Sequence, residues 1–421
     1  MDIVTIDFET FYDKDYSLSK ITTEEYVRSD LFETIGVSVK VNEDPGVWYS
    51  GSDVDGFLNG LDYSDKAILC HHTAFDGAIL AWNYNIKPKF WLDTLSMARP
   101  KHNATVGGSL KMLALHYGVG EKGTEVIDAK GKRRKDFTPA ELRAYGNYCI
   151  NDGGICKKLF NKLAQGFPVS ELMVIDQTIR MYTEPVLELN RSRLEKHLSE
   201  VQAKKRELLA GLGGGEEATK VLMSNVKFAE LLERLGAEVP MKLNKKEEWK
   251  PAFAKTDQGL LDLLEHDNPD VVTAVTARMG VKSTIEETRT QRLIDVSKRG
   301  PLPIMLNYYG AHTGRFSGGD KLNLQNLPVR QGNAIRSAIT APEGHKVVAC
   351  DSSQIEARIL AFIAKQHDLV EAFRQGEDVY SDFASDIYGF KVDRKNNPDH
   401  WDHGFVGKTC ILGLGYGMGP P

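Results

Sequence analysis

The first 165 residues alternate short apolar runs with longer stretches of helical spacing. Residues 4–7, 34–41 and 67–70 are rich in β-branched and aliphatic side chains and have strand lengths. Residues 109–117 repeat apolar positions three and four apart, and 139–163 predict a longer helix that opens on Pro139. This alternation predicts an α/β domain, and Gly166-Phe167-Pro168 marks a boundary. Residues 170–300 predict mostly helix, over 171–182, 193–209 and 225–235, with one long polar helix over 278–298. Residues 211–215 and 242–250 read as loops. From about 301 the pattern returns to strands and turns, with a buried strand expected at 346–350 and a helix at 354–365. No internal repeat and no long low-complexity tract interrupts this order.

Length and composition narrow the picture. A chain of 421 residues is too long for one ordinary domain. Its 41% hydrophobic and 26% charged content is that of a soluble globular protein. No apolar run approaches the roughly 20 residues of a membrane span. The first residues carry acids at once and no basic region, unlike a secretory signal, so a cytoplasmic location is expected. Five scattered cysteines (Cys70, Cys149, Cys156, Cys350, Cys410) predict reduced, buried thiols. The net charge of −5 hides basic clusters: KGKRRK at 130–135, and Arg289, Arg292, Lys298 and Arg299. A protein that handles nucleic acid with metal ions needs acid clusters too, so the sum does not exclude that class.

One such acid cluster is legible. Asp7 and Glu9 are two apart on a predicted strand and share a face. Asp76 follows Phe75, and Tyr148 and Asp152 are four apart on one face of the predicted helix 139–163. Four carboxylates at one site would repel each other unless cations sat between them. Two Mg²⁺ or Mn²⁺ ions roughly 3.5–4 Å apart resolve the repulsion and can cut a phosphodiester. A tyrosine is a poor base near neutrality, so Tyr148 is cast as orienting the attacking water. The series Asp7-x-Glu9-Thr10, Phe75-Asp76 and Tyr148-x-x-x-Asp152 resembles the 3′–5′ exonucleases of proofreading type with a ribonuclease H-like fold, over residues 1–165. His72 stands where these enzymes usually carry Asn. Asp93 is also family-like, with a structural role as the competing reading.

A second series begins at Thr313-Gly-Arg315 and runs through Asn323, Gln325, Asn326 and Pro328. It resembles the primer-template segment of family A DNA polymerases. Asp351-Ser352-Ser-Gln354-Ile-Glu356 resembles that family's first palm motif, and residues 408–416 its fingers helix, in forms closest to the phage branch. The resemblance implies the following roles. Asp351, helped by the Ser352 carbonyl, would hold Mg²⁺ from the end of a strand. Glu356 would exclude a ribose 2′-hydroxyl beside Gln354. Lys408 would grip the triphosphate of a dNTP, and Tyr416, two turns along the same face, would lie by the templating base. Arg315, Asn323, Gln325 and Asn326 would contact DNA near the primer end, where the minor groove looks much the same for every sequence. Gly404 replaces a usual arginine and Leu412 a usual aromatic, changes expected to touch triphosphate and sugar contacts.

The architecture expected is therefore α/β. A ribonuclease H-like exonuclease domain (1–165) is followed by a helical linker and thumb (166–300), a partial palm (301–365) and partial fingers (366–421) of a right-hand polymerase. The basic helix 278–299 would track duplex phosphates. The family's second palm carboxylate sits in a His-Asp-Glu tripeptide, and none occurs before the final Gly419-Pro420-Pro421. The expectation is replication and proofreading by a chain truncated after the fingers motif and inefficient alone, either one half of a split polymerase completed by a second polypeptide or a shortened product of a longer gene. The alternatives are a free-standing exonuclease with a DNA-binding polymerase remnant, and a catalytically dead primer-template binder.

Overall fold

The computed structural model describes residues 1–123, 128–244, 246–327 and 334–419. Lys245, Pro328, Pro420 and Pro421, which fall in the predicted loop or the motifs quoted above, lie outside the described residues. The chain forms two compact units, Met1–Lys346 and Val347–Pro421.

The first unit is built on a five-stranded sheet in the order β3-β2-β1-β4-β5. Its central strand, β1 (Ile3–Thr10), buries Val4, Ile6 and Phe8 on one face and carries Thr5, Asp7 and Glu9 on the other. It pairs antiparallel with β2 (Thr34–Val41), which pairs antiparallel with β3 (Val47–Ser50). On its other side it runs parallel to β4 (Ala67–Cys70), which runs parallel to β5 (Phe90–Asp93). The helix Pro139–Leu163 starts on a capping box between Thr138 and Glu141 with proline in its first turn. Its buried stripe (Tyr145, Tyr148, Cys149, Asp152, Cys156, Leu159) faces the sheet. Val4, Ile6, Ile68, Leu69, Leu80 and Trp91 form the core with Leu159. The helix Val169–Thr183, through Ile175, Ile179 and Tyr182, and the later residues Met305 and Tyr308 belong to the same core.

Trp48 on β3 is wedged between two glycines. A Cβ at Gly36 would collide with the Trp48 ring and come within 2.6 Å of the Tyr49 carbonyl, and one at Gly146 would meet the ring at 2.7 Å. Gly36→Ala is therefore expected to destabilise this unit by about 1–3 kcal/mol through overpacking, read as a fall in the urea midpoint at unchanged slope.

Helices follow: Arg191–Ala210, Gly215–Met223, Asn225–Arg234, Pro269–Val281 and Ile285–Arg299. The middle three, with Leu208 and Leu209 of the first, enclose a second core of Leu222, Phe228, Leu232, Leu260, Val271 and Val275, while Leu293, Ile294 and Val296 of the last belong to a third core with Leu194 and Leu302. Two expectations change here, and one helix is new. The predicted single helix over 278–298 is two, broken at 282–284. The predicted loop 242–250 holds a two-stranded hairpin, Met241–Leu243 against Trp249–Pro251. The helix Gly215–Met223 had no expectation at all, because its glycine-rich start reads as loop.

The second unit contains the helices Ile355–Ile363, His367–Gln375, Val379–Tyr388 and Trp401–Gly415, packed on Ala357, Ala361, Phe373, Val379 and Tyr380. The buried strand expected at 346–350 does not form: these residues are exposed, Val348 86% so, and carry no regular structure. An apolar run becomes a strand only where a neighbour supplies ladder hydrogen bonds, and none of the described strands pairs with it. The expectation of uniformly buried thiols also changes, since Cys350 is exposed and Cys410 half-buried while Cys70, Cys149 and Cys156 are buried. Among the described residues no helix is long and apolar enough to cross a membrane.

Candidate active site

The sheet and two helices gather the acids of the N-terminal motifs. β1 presents Asp7 and Glu9 on one face, as its two-residue period requires. Asp76 lies in the first turn of the helix Thr73–Asn83, where its Oδ1 accepts from the Phe8 backbone N–H at 3.1 Å. Tyr148 and Asp152 come from Pro139–Leu163. Glu9, Asp76 and Asp152 are buried and Asp7 is half-buried.

Burial and mutual repulsion dominate the electrostatics. Burial, and then the charge of Asp152, push the Asp7 carboxyl up to about 7, against the pull of Lys122 and a Cys149 hydrogen bond. Burial and the charge of Asp7 push Glu9 up to about 8, against a hydrogen bond from Tyr145. Asp76 is raised well above the carboxylate range by burial and then by Asp7. Burial, with Asp152 and Glu9 behind it, raises the Tyr148 phenol above its ordinary value, which removes it as a base. At neutral pH Glu9 and Asp76 favour their protonated forms and Asp7 is about half-protonated, unless a cation takes the place of those protons. Ligand atoms of Asp7, Glu9 and Cys149 lie within 4.8 Å of one another, a spacing that one ion can bridge. The hard oxygen donors suit Mg²⁺ or Mn²⁺.

Three neighbours escaped the motif reading. Tyr145 donates to Glu9. The Cys149 thiol lies 3.2 Å from the Asp7 carbonyl and 3.4 Å from its carboxylate. Lys122 forms an ion pair with Asp152. Tyr145 and Cys149 fall on the stripe 145, 148, 149, 152, so helical spacing could have found them. Lys122 sits outside any regular element and left no such signal.

Two family-like positions acquire structural explanations. Asp93 caps the helix Thr94–His102, accepting from Leu95 N (3.2 Å) and Ser96 N (3.1 Å), and also holds the His72 backbone N–H at 2.8 Å. His72 has φ 73° and ψ 54°. That left-handed conformation favours Asn, Asp and His among residues with a Cβ, so histidine fits the backbone that asparagine would.

The residues of the second series are divided between the two units. In the first, the loop bearing Arg315, Asn323, Gln325 and Asn326 leaves Arg315, Gln325 and Asn326 exposed. The Asn323 side chain caps the following turn by accepting from Gln325 N at 2.9 Å, and Gln325 Nε2 donates to the Phe316 carbonyl at 3.2 Å. Asp320 accepts from the backbone N–H groups of Thr23 and Glu24 and from the Tyr182 hydroxyl, and Lys321 donates to the Ser19 and Ile21 carbonyls. The basic stretch expected to track phosphates is largely engaged within the protein. Arg278 is buried, Arg289 donates to the Asn326 carbonyl, Arg292 to the Lys321 carbonyl, and Arg299 pairs with buried Glu24.

In the second unit Asp351 and Ser352 are exposed and irregular, so Asp351 does not end a strand as expected. Gln354, at φ 56°, precedes the helix that carries Glu356 in its first turn. Lys408 is exposed on Trp401–Gly415, and Tyr416 caps that helix. Glu356, Leu412 and Tyr416 line one cavity of about 350 Å³ with Ile355, Ile359 and Leu360. Asp351 and Lys408 are not part of its lining. At Gly404 an added Cβ would lie 2.6 Å from the Arg394 Cβ. Arg394 is itself held by Asp378 at 2.8 and 3.0 Å.

A family model described as DNA polymerase family A matches residues 186–421. DNA polymerase I of Pseudomonas aeruginosa is 29% identical over 316 residues, covering 70% of this chain and 32% of the relative. The thermostable DNA polymerase I of Thermus aquaticus is 32% identical over 192 residues, 39% of this chain and 23% of the relative. The chain thus spans a third or less of the length of these relatives. The POL domain of Pol1 from M. smegmatis, solved in complex with DNA primer-template and dNTP, superposes with a TM-score of 0.62 at 21% identity, covering 99% of this chain and 68% of that one.

Proposed function

The chain belongs to DNA polymerase family A, and from that premise we propose that it serves DNA replication, with a metal-dependent 3′–5′ exonuclease of ribonuclease H-like type at residues 1–165. The observation that carries the exonuclease is the convergence of Asp7, Glu9, Asp76 and Asp152 from β1 and two helices, with Asp7, Glu9 and Asp76 held at or above neutrality. Asp7, Glu9, Asp76 and Asp152 would hold two divalent cations, which when bound supply Lewis-acid activation of water and charge stabilisation of the departing oxygen. Tyr148 orients the water and stays protonated. Tyr145 fixes the Glu9 carboxylate through its hydroxyl.

For the polymerase half, the proposal follows the family motifs. Residues 166–300 would serve as thumb, 301–365 as palm and 366–421 as fingers. Arg315, Asn323, Gln325 and Asn326 would contact primer-template. Asp351 and the Ser352 carbonyl would hold Mg²⁺, Gln354 and Glu356 would border the incoming sugar, and Lys408 and Tyr416 would hold the dNTP. The cavity shared by Glu356, Leu412 and Tyr416 supports a nucleotide role for that helix pair.

A gel assay tests both halves. Purified protein, Mg²⁺ and a 5′-labelled primer-template are incubated with and without dNTPs. Primer shortening without dNTPs is expected, and an intact primer would overturn the exonuclease; extension when dNTPs are added reads the polymerase residues.

The raised acids also set a pH dependence. Asp7 and Glu9 rise from ordinary values of 3.8 and 4.5 to about 7 and about 8. Between those limits the folded state binds more protons than the unfolded, so metal-free stability falls as pH rises. Mn²⁺ replaces those protons, and its stabilising shift of the melting temperature is expected to be larger at pH 8 than at pH 5.5. Equal shifts at both would contradict the assignment.

A further inference from the structure

Resting on the exonuclease reading above, we propose that Lys122 is a built-in competitor for the cation site, its ammonium standing beside Asp152 in the place that a divalent cation takes. Three contacts hold it there. Lys122 pairs with the buried Asp152 carboxylate. Its Nζ lies 4.8 Å from the centre of the Tyr148 ring. The preceding residue is tied to the same helix, since Asn151 Nδ2 donates to the Glu121 carbonyl at 2.8 Å. Its positive charge also reaches both Asp7 and Glu9. A cation among four mutually repelling acids keeps them assembled when no metal is present.

The arrangement is also built to yield. Residues 120–123 have no regular structure, and the approach to them turns at Gly118 (φ 61°) and Gly120 (φ 150°). The Lys122 side chain is 28% exposed while Asp152 is 4% exposed, so the ammonium enters from the solvent side and can withdraw along it. A lysine is a compact, strongly hydrated charge on a flexible stem, suited to leaving. Metal binding must then break the Lys122–Asp152 pair, which weakens the apparent affinity.

The test is Mn²⁺ binding to DNA-free protein, followed by isothermal calorimetry or by the loss of the free-ion EPR signal. Lys122→Met keeps the stem and removes the charge. It is expected to bind Mn²⁺ roughly 10- to 100-fold more tightly, the range over which groups around a metal site shift its affinity, while Lys122→Arg stays close to the unaltered protein. The metal-free melting temperature of Lys122→Met should fall, and saturating Mn²⁺ should restore it. Unchanged affinity in Lys122→Met would overturn the inference, and so would weaker affinity, which would make Lys122 an orienting group for Asp152. Asp7→Ala separates this from the underlying reading. Mn²⁺ binding that disappears in Asp7→Ala but does not tighten in Lys122→Met refutes the competitor alone. Absence of Asp7-dependent Mn²⁺ binding refutes the exonuclease site itself.

Discussion

Asp7→Ala is expected to reduce degradation of single-stranded 3′ ends by roughly 10³-fold, and Asp152→Ala by as much. Each would remove a ligand of the proposed site, whose metal ions would supply several kcal/mol of charge stabilisation, and about 4 kcal/mol corresponds to that factor. The fold should not suffer. The Asp7 carboxyl is pushed up to about 7 by burial and by Asp152, so the native state disfavours its ionised form. Deleting it relieves that repulsion. The metal-free melting temperature of Asp7→Ala should equal or exceed that of the unaltered chain while its Mn²⁺-induced shift disappears. Residual activity within tenfold of the starting level in both variants would remove the exonuclease assignment, because no other described acid is placed to replace both.

The second large effect lies far from that chemistry. Arg278→Ala is expected to cost about 2–5 kcal/mol, from the cavity it leaves and the carbonyls it stops satisfying. Arg278 is 1% exposed. Its Nη1 donates to the Leu222 carbonyl at 2.6 Å and reaches the Ser224 carbonyl at 3.4 Å, and Nη2 donates to Asn225 Oδ1 at 2.5 Å. The guanidinium also lies over the rings of Phe228 (4.3 Å) and Phe253 (4.7 Å). It therefore ties the junction between two short helices to a third, and alanine would leave buried carbonyls unsatisfied beside a cavity. Urea unfolding followed by circular dichroism measures the loss. A variant with unchanged stability but weakened, less salt-sensitive DNA binding would return Arg278 to the phosphate-contacting role that its sequence suggests.

Arg278 shows where sequence reasoning stops. Basic residues at helical spacing look alike whether they face water or a carbonyl-lined core, since the deciding partners, Leu222 and Asn225, lie more than fifty positions away. The same limit explains 346–350, where composition predicts a buried strand but strand formation depends on a distant neighbour. Local rules served better where the signal is local. The β-branched run 34–41 and the apolar run 67–70 became strands with those bounds. Thr138, Pro139 and Glu141 fixed the start of the helix that carries Tyr148 and Asp152. The two-residue and four-residue spacings placed Asp7 with Glu9, and Tyr148 with Asp152, on shared faces. Lys122 belongs to the illegible part: a lysine between glycine-containing turns has no periodicity, and only the assembled acids reveal its position.

The core around β1 has a consequence for synthesis and dissection. Ile175, Ile179 and Tyr182 close one side of the sheet, and Met305 and Tyr308 join the same cluster, with the Tyr308 hydroxyl bonded to Glu171 at 2.5 Å. A nascent chain that has emerged only as far as residue 165 still lacks these side chains, so part of its core stays uncovered until they are made. Cut at that apparent boundary, the N-terminal piece would present an uncovered apolar face and tend to aggregate. A fragment carried through residue 327 keeps the cluster whole.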